Sequence, residues 1–360
     1  MSSPHAAGHG RAIEFTGNWR EYLPIAVTNI LLMIVTLGIY RFWATARQRR
    51  YLWSRTHVID DHLEWSGTGK EMFLGFLVVI LILLPFFGFI QFLFPALLAR
   101  GMTTEAFAVL GVFYFAMLYL GGVARFRALR YRLSRTWWHG IRGGSDEPGW
   151  SYGGEYFGVY LLCMFTLFIP FPWATTKLWN ARWNQMSFGP TQFQAVLTTD
   201  GLKGRWAAVY LVPIGLLLTV MILAVAAAGS ASSSAPGTQV GILGIIGLLA
   251  FAVYFAIPLL TLHWFAKFYR QAADATRLGD LEFGFDARTR DWLLLFLGNV
   301  GLAIITLGLG LAFWGYRNWS FMVRHTHLYG VVDLATLTQS TASAPAEAEG
   351  WADAFDVGAI

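Results

Sequence analysis

A single cysteine, Cys163, stands in a chain of 360 residues. It excludes an internal disulfide, and its place inside an apolar run marks it as a small core residue. Charge is scarce too. Charged residues make up 13% of the chain against 56% hydrophobic ones, with a mean hydropathy of +0.50. That balance excludes water as the only solvent. Catalytic signatures are also missing: there is no Gly-x-Ser-x-Gly elbow, no dinucleotide fingerprint, no His-Glu-x-x-His and no carboxylate pair on one membrane helix. An enzyme is therefore not expected, and no catalytic residue, cofactor or metal is assigned. Gly67-Thr68-Gly69-Lys70 is too short for a phosphate loop and runs into Glu71 and an apolar segment, so it reads as a turn with an interfacial lysine. The histidine pairs His57/His62 and His325/His327, with Asp60 and Asp61 nearby, read as ordinary hydrogen-bonding groups. The stretch from Met1 to Thr16 lacks the features of a cleavable signal, so the first apolar segment is expected to stay in the mature chain.

What is abundant is apolar sequence in long runs. They cover about Tyr22–Tyr40, Met72–Leu98, Phe107–Val123, Tyr156–Trp173, Ala207–Ala228, Gly241–Leu262 and Trp292–Trp314. Each has roughly the 17 to 25 residues that a helix needs to cross a bilayer, which predicts seven membrane helices. Tyr22, Tyr40, Trp43, Trp173, Trp206, Trp264, Trp292 and Trp314 gather at the run ends, where amphipathic rings favour the headgroup layer.

A basic cassette follows five of these runs. Superimposed, the copies place a cation at Arg47, Arg127, Lys177, Lys267 and Arg317, and four of them have threonine nine residues later: Thr56, Thr136, Thr276 and Thr326. The first two share a stricter string, Arg50-Tyr51-x-x-Ser54-Arg55-Thr56 and Arg130-Tyr131-x-x-Ser134-Arg135-Thr136. One constant offset carries Asn29, Thr36-Leu37-Gly38 and Arg47 onto Asn299, Thr306-Leu307-Gly308 and Arg317. The chain therefore reads as an internal repeat in the order single, pair, single, pair, single. Beyond the cassettes the pattern alternates: Ile13–Phe15, His62–Gly67, Gln192–Val196, Leu281–Phe285 and Leu328–Leu334 read as short strands able to share a small sheet on one membrane face. Each cassette is thus an interfacial helix turning into a strand.

Two groups of residues are candidate sites. Arg47, Arg50, Arg127, Arg130, Lys177, Lys267, Arg270 and Arg317 are candidate anion or lipid-headgroup cations, either anchoring on anionic lipid or gathered round a shared recess. Asn29, Gln91 and Asn299 are polar groups inside apolar runs, where helix-to-helix hydrogen bonding competes with a transport role. Nucleic acid is a poor partner, because the cations flank membrane segments and form no soluble basic domain. Topology is in conflict. If the three single segments, 22–40, 156–173 and 292–314, cross, Lys and Arg divide almost evenly between the faces, and units of three spans acquire opposite orientations as in many secondary transporters. If they bend back at Thr-Leu-Gly or at Pro170-x-Pro172, every Lys and Arg except Arg100 shares one face. Charge and strand pairing favour the bend, with the cassettes on the cytoplasmic side.

The entry Phe15-x-Gly17, Asn29, Thr36-Leu37-Gly38-Ile39-Tyr40, Trp43, Arg50-Tyr51 and the Trp65-x-Gly67-Thr68-Gly69 turn resemble the YjgN-like bacterial inner-membrane proteins of unknown function. The resemblance is strongest over roughly the first seventy residues, and the internal repeats extend it to about residue 335. It implies a multi-pass protein of the bacterial inner membrane and brings no activity or catalytic residue. The expected architecture is an all-α polytopic membrane protein with about seven apolar helices, repeated basic interfacial helices and short interfacial β-strands. Its parts are a flexible N-terminus (1–11), a membrane domain (12–336) and a disordered acidic tail (337–360). The expected function is binding or organising anionic membrane lipid; the alternative is a small-solute transporter or channel built on the repeats.

Overall fold

The computed structural model describes residues 12–230, 236–330 and 338–339. The N-terminal segment 1–11, most of the turn 230–237 and, but for 338–339, the tail 337–360 lie outside the described residues. The described residues make five helical hairpins, and each begins and ends in antiparallel β-structure.

In the first hairpin, strand β1 (Ile13–Phe15) leads to helix α1 (Trp19–Val35), a tight turn, helix α2 (Arg41–Ser54) and strand β2 (Thr56–Val58). After β3 (Asp61–His62) and β4 (Glu64–Trp65), the second hairpin rises through α3 (Gly69–Gly88), a π-helical turn (Phe89–Leu93) and α4 (Phe94–Ala99). It returns through α5 (Thr103–Arg135) to β5 (Thr136–Trp138). The third runs β6 (Ile141–Gly144), α6 (Trp150–Phe165), α7 (Phe171–Trp183), β7 (Ser187–Phe188). The fourth runs β8 (Thr191–Ala195), α8 (Lys203–Ser230), α9 (Pro236–Asp274), β9 (Thr276–Leu278). The fifth runs β10 (Leu281–Phe285), α10 (Thr289–Ile305), a 3-10 turn (Leu309–Phe313), α11 (Trp314–His325), β11 (Thr326–Tyr329).

Strand pairing fixes where the hairpin ends lie. Strands β4 to β11 form one antiparallel sheet in sequence order, and β1-β2-β3 form a second that continues through Leu63 into β4. Paired backbones lie about 5 Å apart, so the entry and exit of every hairpin must be on the same side. The register tightens at one recurring bond: the N–H groups of Thr16, Ser66, Val196 and Asp286 donate to the carbonyls of Arg55, Arg135, Ala275 and His325 at 2.9, 3.0, 3.0 and 3.1 Å. Opposed orientation of successive units is not the arrangement found.

Seven membrane helices were expected; among the described residues four are long and apolar enough to cross a membrane: Gly69–Ala99, Thr103–Arg135, Lys203–Ala226 and Gly244–Asp274. The single segments are broken, which agrees with the bend that charge and strand pairing favoured over crossing. Helix α1, with 17 residues, is about 25 Å long and stops at Thr36, where Leu37 and Gly38 take φ of 51° and 88°. The Gly38 N–H donates to Met33 O at 2.7 Å and Leu37 N–H to Ile34 O at 3.2 Å, a C-terminal cap that reverses the chain. Thr306-Leu307-Gly308 repeats the geometry with φ of 50° and 93° for the last two. Thr166-Leu167-Phe168 does so as well, at φ of 53° and 58°, with Phe168 N–H on Cys163 O. That third break was expected at Pro170 and Pro172 instead, which sit just beyond it. The tips are apolar and bare: Leu37, Leu167 and Leu307 are 93%, 74% and 94% exposed. Such exposed apolar patches call for an apolar solvent at the hairpin tips.

The all-α description is corrected as well. Sheet structure extends beyond the expected short strands, because the residues right after each cassette, Thr56–Val58, Thr136–Trp138, Ser187–Phe188, Thr276–Leu278 and Thr326–Tyr329, are themselves strands. Of the strand expected over Leu328–Leu334, only Leu328–Tyr329 falls in β11; Gly330 is a bend, and 331–334 lie outside the described residues.

Candidate functional site

The cassette threonines sit at helix-to-strand joints. Helices end with unsatisfied carbonyls, and here the hydroxyls of Thr56, Thr136, Thr276 and Thr326 donate back to Leu52, Arg132, Ala272 and Met322 O at 2.8, 2.8, 2.7 and 2.8 Å. A hydroxyl can accept while it donates, and three of these oxygens do. The indole N–H of Trp319 donates to Thr56 at 2.9 Å, that of Trp53 to Thr136 at 2.9 Å, and that of Trp179 to Thr276 at 3.1 Å. Each bond ties one hairpin to another. Trp53 and Trp319 also stack with ring centres 4.0 Å apart. With Tyr316 donating to Gly17 O at 2.9 Å and Tyr22 to Ala312 O at 3.1 Å, the fifth hairpin closes onto the first.

That closure leaves an apolar groove of about 690 Å³ between α1, α10 and α11. Trp19, Leu23, Leu295, Leu302, Phe313 and Phe321 form its walls, while Arg317, Arg324 and His325, with Tyr316 and Ser320, supply its polar groups. Of the eight candidate cations, Arg317 is the one in this groove. Its Nε donates to Asn299 Oδ1 at 2.6 Å, and Asn299 Nδ2 donates to Asn318 Oδ1 at 3.1 Å. The asparagine thus fixes the guanidinium by bridging α10 and α11. Arg324 lies two helical turns further along the same helix and was not singled out from the sequence; its spacing of seven from Arg317 was the available signal.

The other cations have separate surroundings. Arg47 and Arg50 are exposed on α2, and their buried neighbour Arg49 stacks on Trp65 at 5.0 Å. Arg127 donates to Pro148 O at 3.0 Å and covers the Trp150 ring at 4.6 Å. Arg130 is buried in α5. Lys177 pairs with Glu155 at 3.3 Å beside Trp173, whereas Lys267 and Arg270 are half-buried on α9. The structure distributes these residues around the hairpins, each against its own neighbours.

Among the intramembrane polar groups, Asn29 is buried and its Nδ2 reaches Ala44 O at 3.4 Å, joining α1 to α2. Asn29 and Asn299 both hold hairpins together, although Asn29 Oδ1 has no partner and Arg47 does not fill the place that Arg317 fills. Gln91 is exposed within the π-helical turn, about 33 Å along the helix from Gly69, which puts it near the far interface.

Charges on the sheet side pair locally. Asp286 holds both His325 and His327, the latter at 3.0 Å. Partial burial pushes its carboxyl up, but the bonds from His327 and His325 outweigh that and leave it below the usual carboxylate range. Asp61 is also lowered, chiefly by the His62 backbone N–H. His139 reaches Asp60 at 2.8 Å.

Residues 11–354 match the family described as bacterial protein of unknown function (DUF898). The chain is 29% identical over 139 residues to inner membrane protein YjgN of Salmonella typhimurium strain LT2, a match covering 36% of this chain and 34% of that relative. Over 66 residues it is 38% identical to inner membrane protein YjgN of Escherichia coli O157:H7 and 36% identical to that of strain K12, covering 18% of this chain and 17% of each relative. The matched stretches span about a third or less of these relatives. No solved structure shows a significant match.

Proposed function

The chain belongs to this bacterial DUF898 family and is a multi-pass inner-membrane protein; from that premise we propose that it binds anionic membrane lipid in the groove between its first and last hairpins. The protein is built by repeating one helical hairpin on a cytoplasmic sheet, and the groove is the seam where the row of hairpins closes. One observation carries the reading: an apolar channel of about 690 Å³, open beside exposed Trp19, has Arg317 and Arg324 at its polar groups. A phosphodiester with an acyl chain presents the same pairing of charge and hydrocarbon. The volume is within the roughly 300 to 1,000 Å³ typical of ligand pockets.

Each basic group near an anionic headgroup contributes about 1 kcal/mol, so two together amount to roughly thirtyfold in affinity. Native mass spectrometry of the protein extracted from bacterial membranes is expected to show retained anionic lipid. The double variant Arg317→Gln, Arg324→Gln should lose most of it while its circular dichroism stays that of the parent. Equal retention by the folded variant refutes the proposal. The small-solute transporter reading draws less support, because Asn29 and Asn299 join helices within hairpins.

A further inference from the structure

A second basic recess, sharing no residue with the groove, lies where α5, α6, α7 and α9 meet. Its volume is about 260 Å³, and Arg125, Arg182, Tyr152, Tyr156, Tyr160 and Tyr269 are among its lining residues. Arg182 is only 8% exposed, and its Nε is buried without a hydrogen-bond partner. Its neighbour is a ring, Trp179, at 5.7 Å. Arg125 donates to the Tyr156 hydroxyl at 2.6 Å and reaches that of Tyr160 at 3.5 Å. Among the described residues neither guanidinium is paired with a carboxylate; the nearby Glu155 is taken by Lys177.

Two cations facing one recess without an acid are costly. A buried charge requires a compensating partner, and each arginine raises the cost of charging the other. The surrounding backbone is packed to hold this arrangement. A Cβ at Gly122 on α5 would meet Tyr156 at 2.6 Å, and one at Gly153 on α6 would meet Val123 at 2.4 Å. Close approach of the two helices presses Tyr156 and Tyr160, stacked at 4.3 Å, against Arg125. The recess is thus closely packed along its α5–α6 wall and positively charged.

We propose that the Arg125–Arg182 recess is an oxyanion site for one phosphate group. Guanidinium forks match phosphate oxygens in pairs, and tyrosine hydroxyls in the recess add further donors. The recess is smaller than a typical drug-sized pocket, so it takes a headgroup phosphate or free phosphate and leaves acyl chains outside.

The test uses the full chain in phosphatidylcholine nanodiscs. One arm titrates inorganic phosphate; the other adds a short-chain phosphatidic acid. Saturable thermal stabilisation by inorganic phosphate assigns the site to the free anion, whereas stabilisation by the lipid alone assigns it to a headgroup. Either effect should weaken at least tenfold in Arg182→Gln and persist in Arg317→Gln, which separates this site from the groove. Without added anion, Arg182→Met should unfold no earlier than the parent, because it removes an unpaired buried charge. If Arg182→Gln does not fold, Arg125→Gln serves in its place and should also lose the response. No stabilisation by either probe, or an unchanged response in the folded variants, overturns the proposal.

Discussion

Thr56→Val tests whether the cassette threonines fasten the hairpins together. The substitution keeps the shape of a fully buried side chain and removes its hydroxyl. Two hydrogen bonds disappear, one to Leu52 O at 2.8 Å and one from Trp319 Nε1 at 2.9 Å. Each contributes about 1 kcal/mol net, and leaving the indole donor unsatisfied costs about 1 to 3 kcal/mol more. The expected loss is roughly 2 to 4 kcal/mol, because the indole penalty partly overlaps the bond already counted. Thr326→Val is the internal control: its hydroxyl bonds to Met322 O and receives no indole, so about 1 kcal/mol is expected. Unfolding by SDS titration in mixed micelles measures both. A double-mutant cycle with Trp319→Phe isolates the bond between hairpins, with a coupling of about 1 kcal/mol expected. Equal losses at Thr56 and Thr326, or zero coupling in the cycle, refute the reasoning.

Phe168→Gly should stabilise the third hairpin by about 1 kcal/mol, because Phe168 holds a φ of 58° where the corresponding turns have glycine; thermal unfolding in detergent reads this, and a lower midpoint contradicts it. Glu71→Gln should cost about 1.5 to 3 kcal/mol in SDS unfolding, since the carboxylate accepts from Tyr131 at 2.9 Å and lies 3.1 Å from Arg135 Nε, an ion contact off the hydrogen-bond line; an unchanged midpoint contradicts it. The carboxyl of Asp286 is lowered on folding, so its contribution is present above the ordinary carboxylate range and lost as pH falls through the depressed value. Melting of the parent and of Asp286→Asn should therefore differ at neutral pH and converge in acid; a gap that widens in acid refutes the assignment. After Cys163→Ala, single cysteines replacing Ser54 and Arg277 should resist an impermeant thiol reagent in intact cells while one replacing Arg100 reacts; reaction at Ser54 without reaction at Arg277 contradicts the same-side hairpins.

The local sequence determined the membrane class, the long apolar runs, the cassette cations and the turns at Thr36-Leu37-Gly38 and Thr306-Leu307-Gly308, but it counted seven membrane helices where the described residues hold four candidates. Composition, run length and glycine conformational freedom act over a few residues, so they are legible without a fold. The third turn was hidden because Phe168 carries no local signal for a positive φ; the cap bonds of Leu167 and Phe168 hold it there. Several strands were hidden for a similar reason: two to four residues such as Ser187–Phe188 have no periodicity of their own and exist only because a neighbour pairs with them. The sequence left the three single segments divided between crossing and return, with charge favouring the return; the sheet pairing places both ends of each hairpin on one side. Only the tertiary structure decided which cations share a site. Arg317 and Arg324 face one groove, and Arg125 and Arg182 face one recess, although Arg125 and Arg182 come from different hairpins and stand at different cassette positions. A repeat aligns residues by sequence offset, whereas a binding site is made of side chains that packing turns toward the same space.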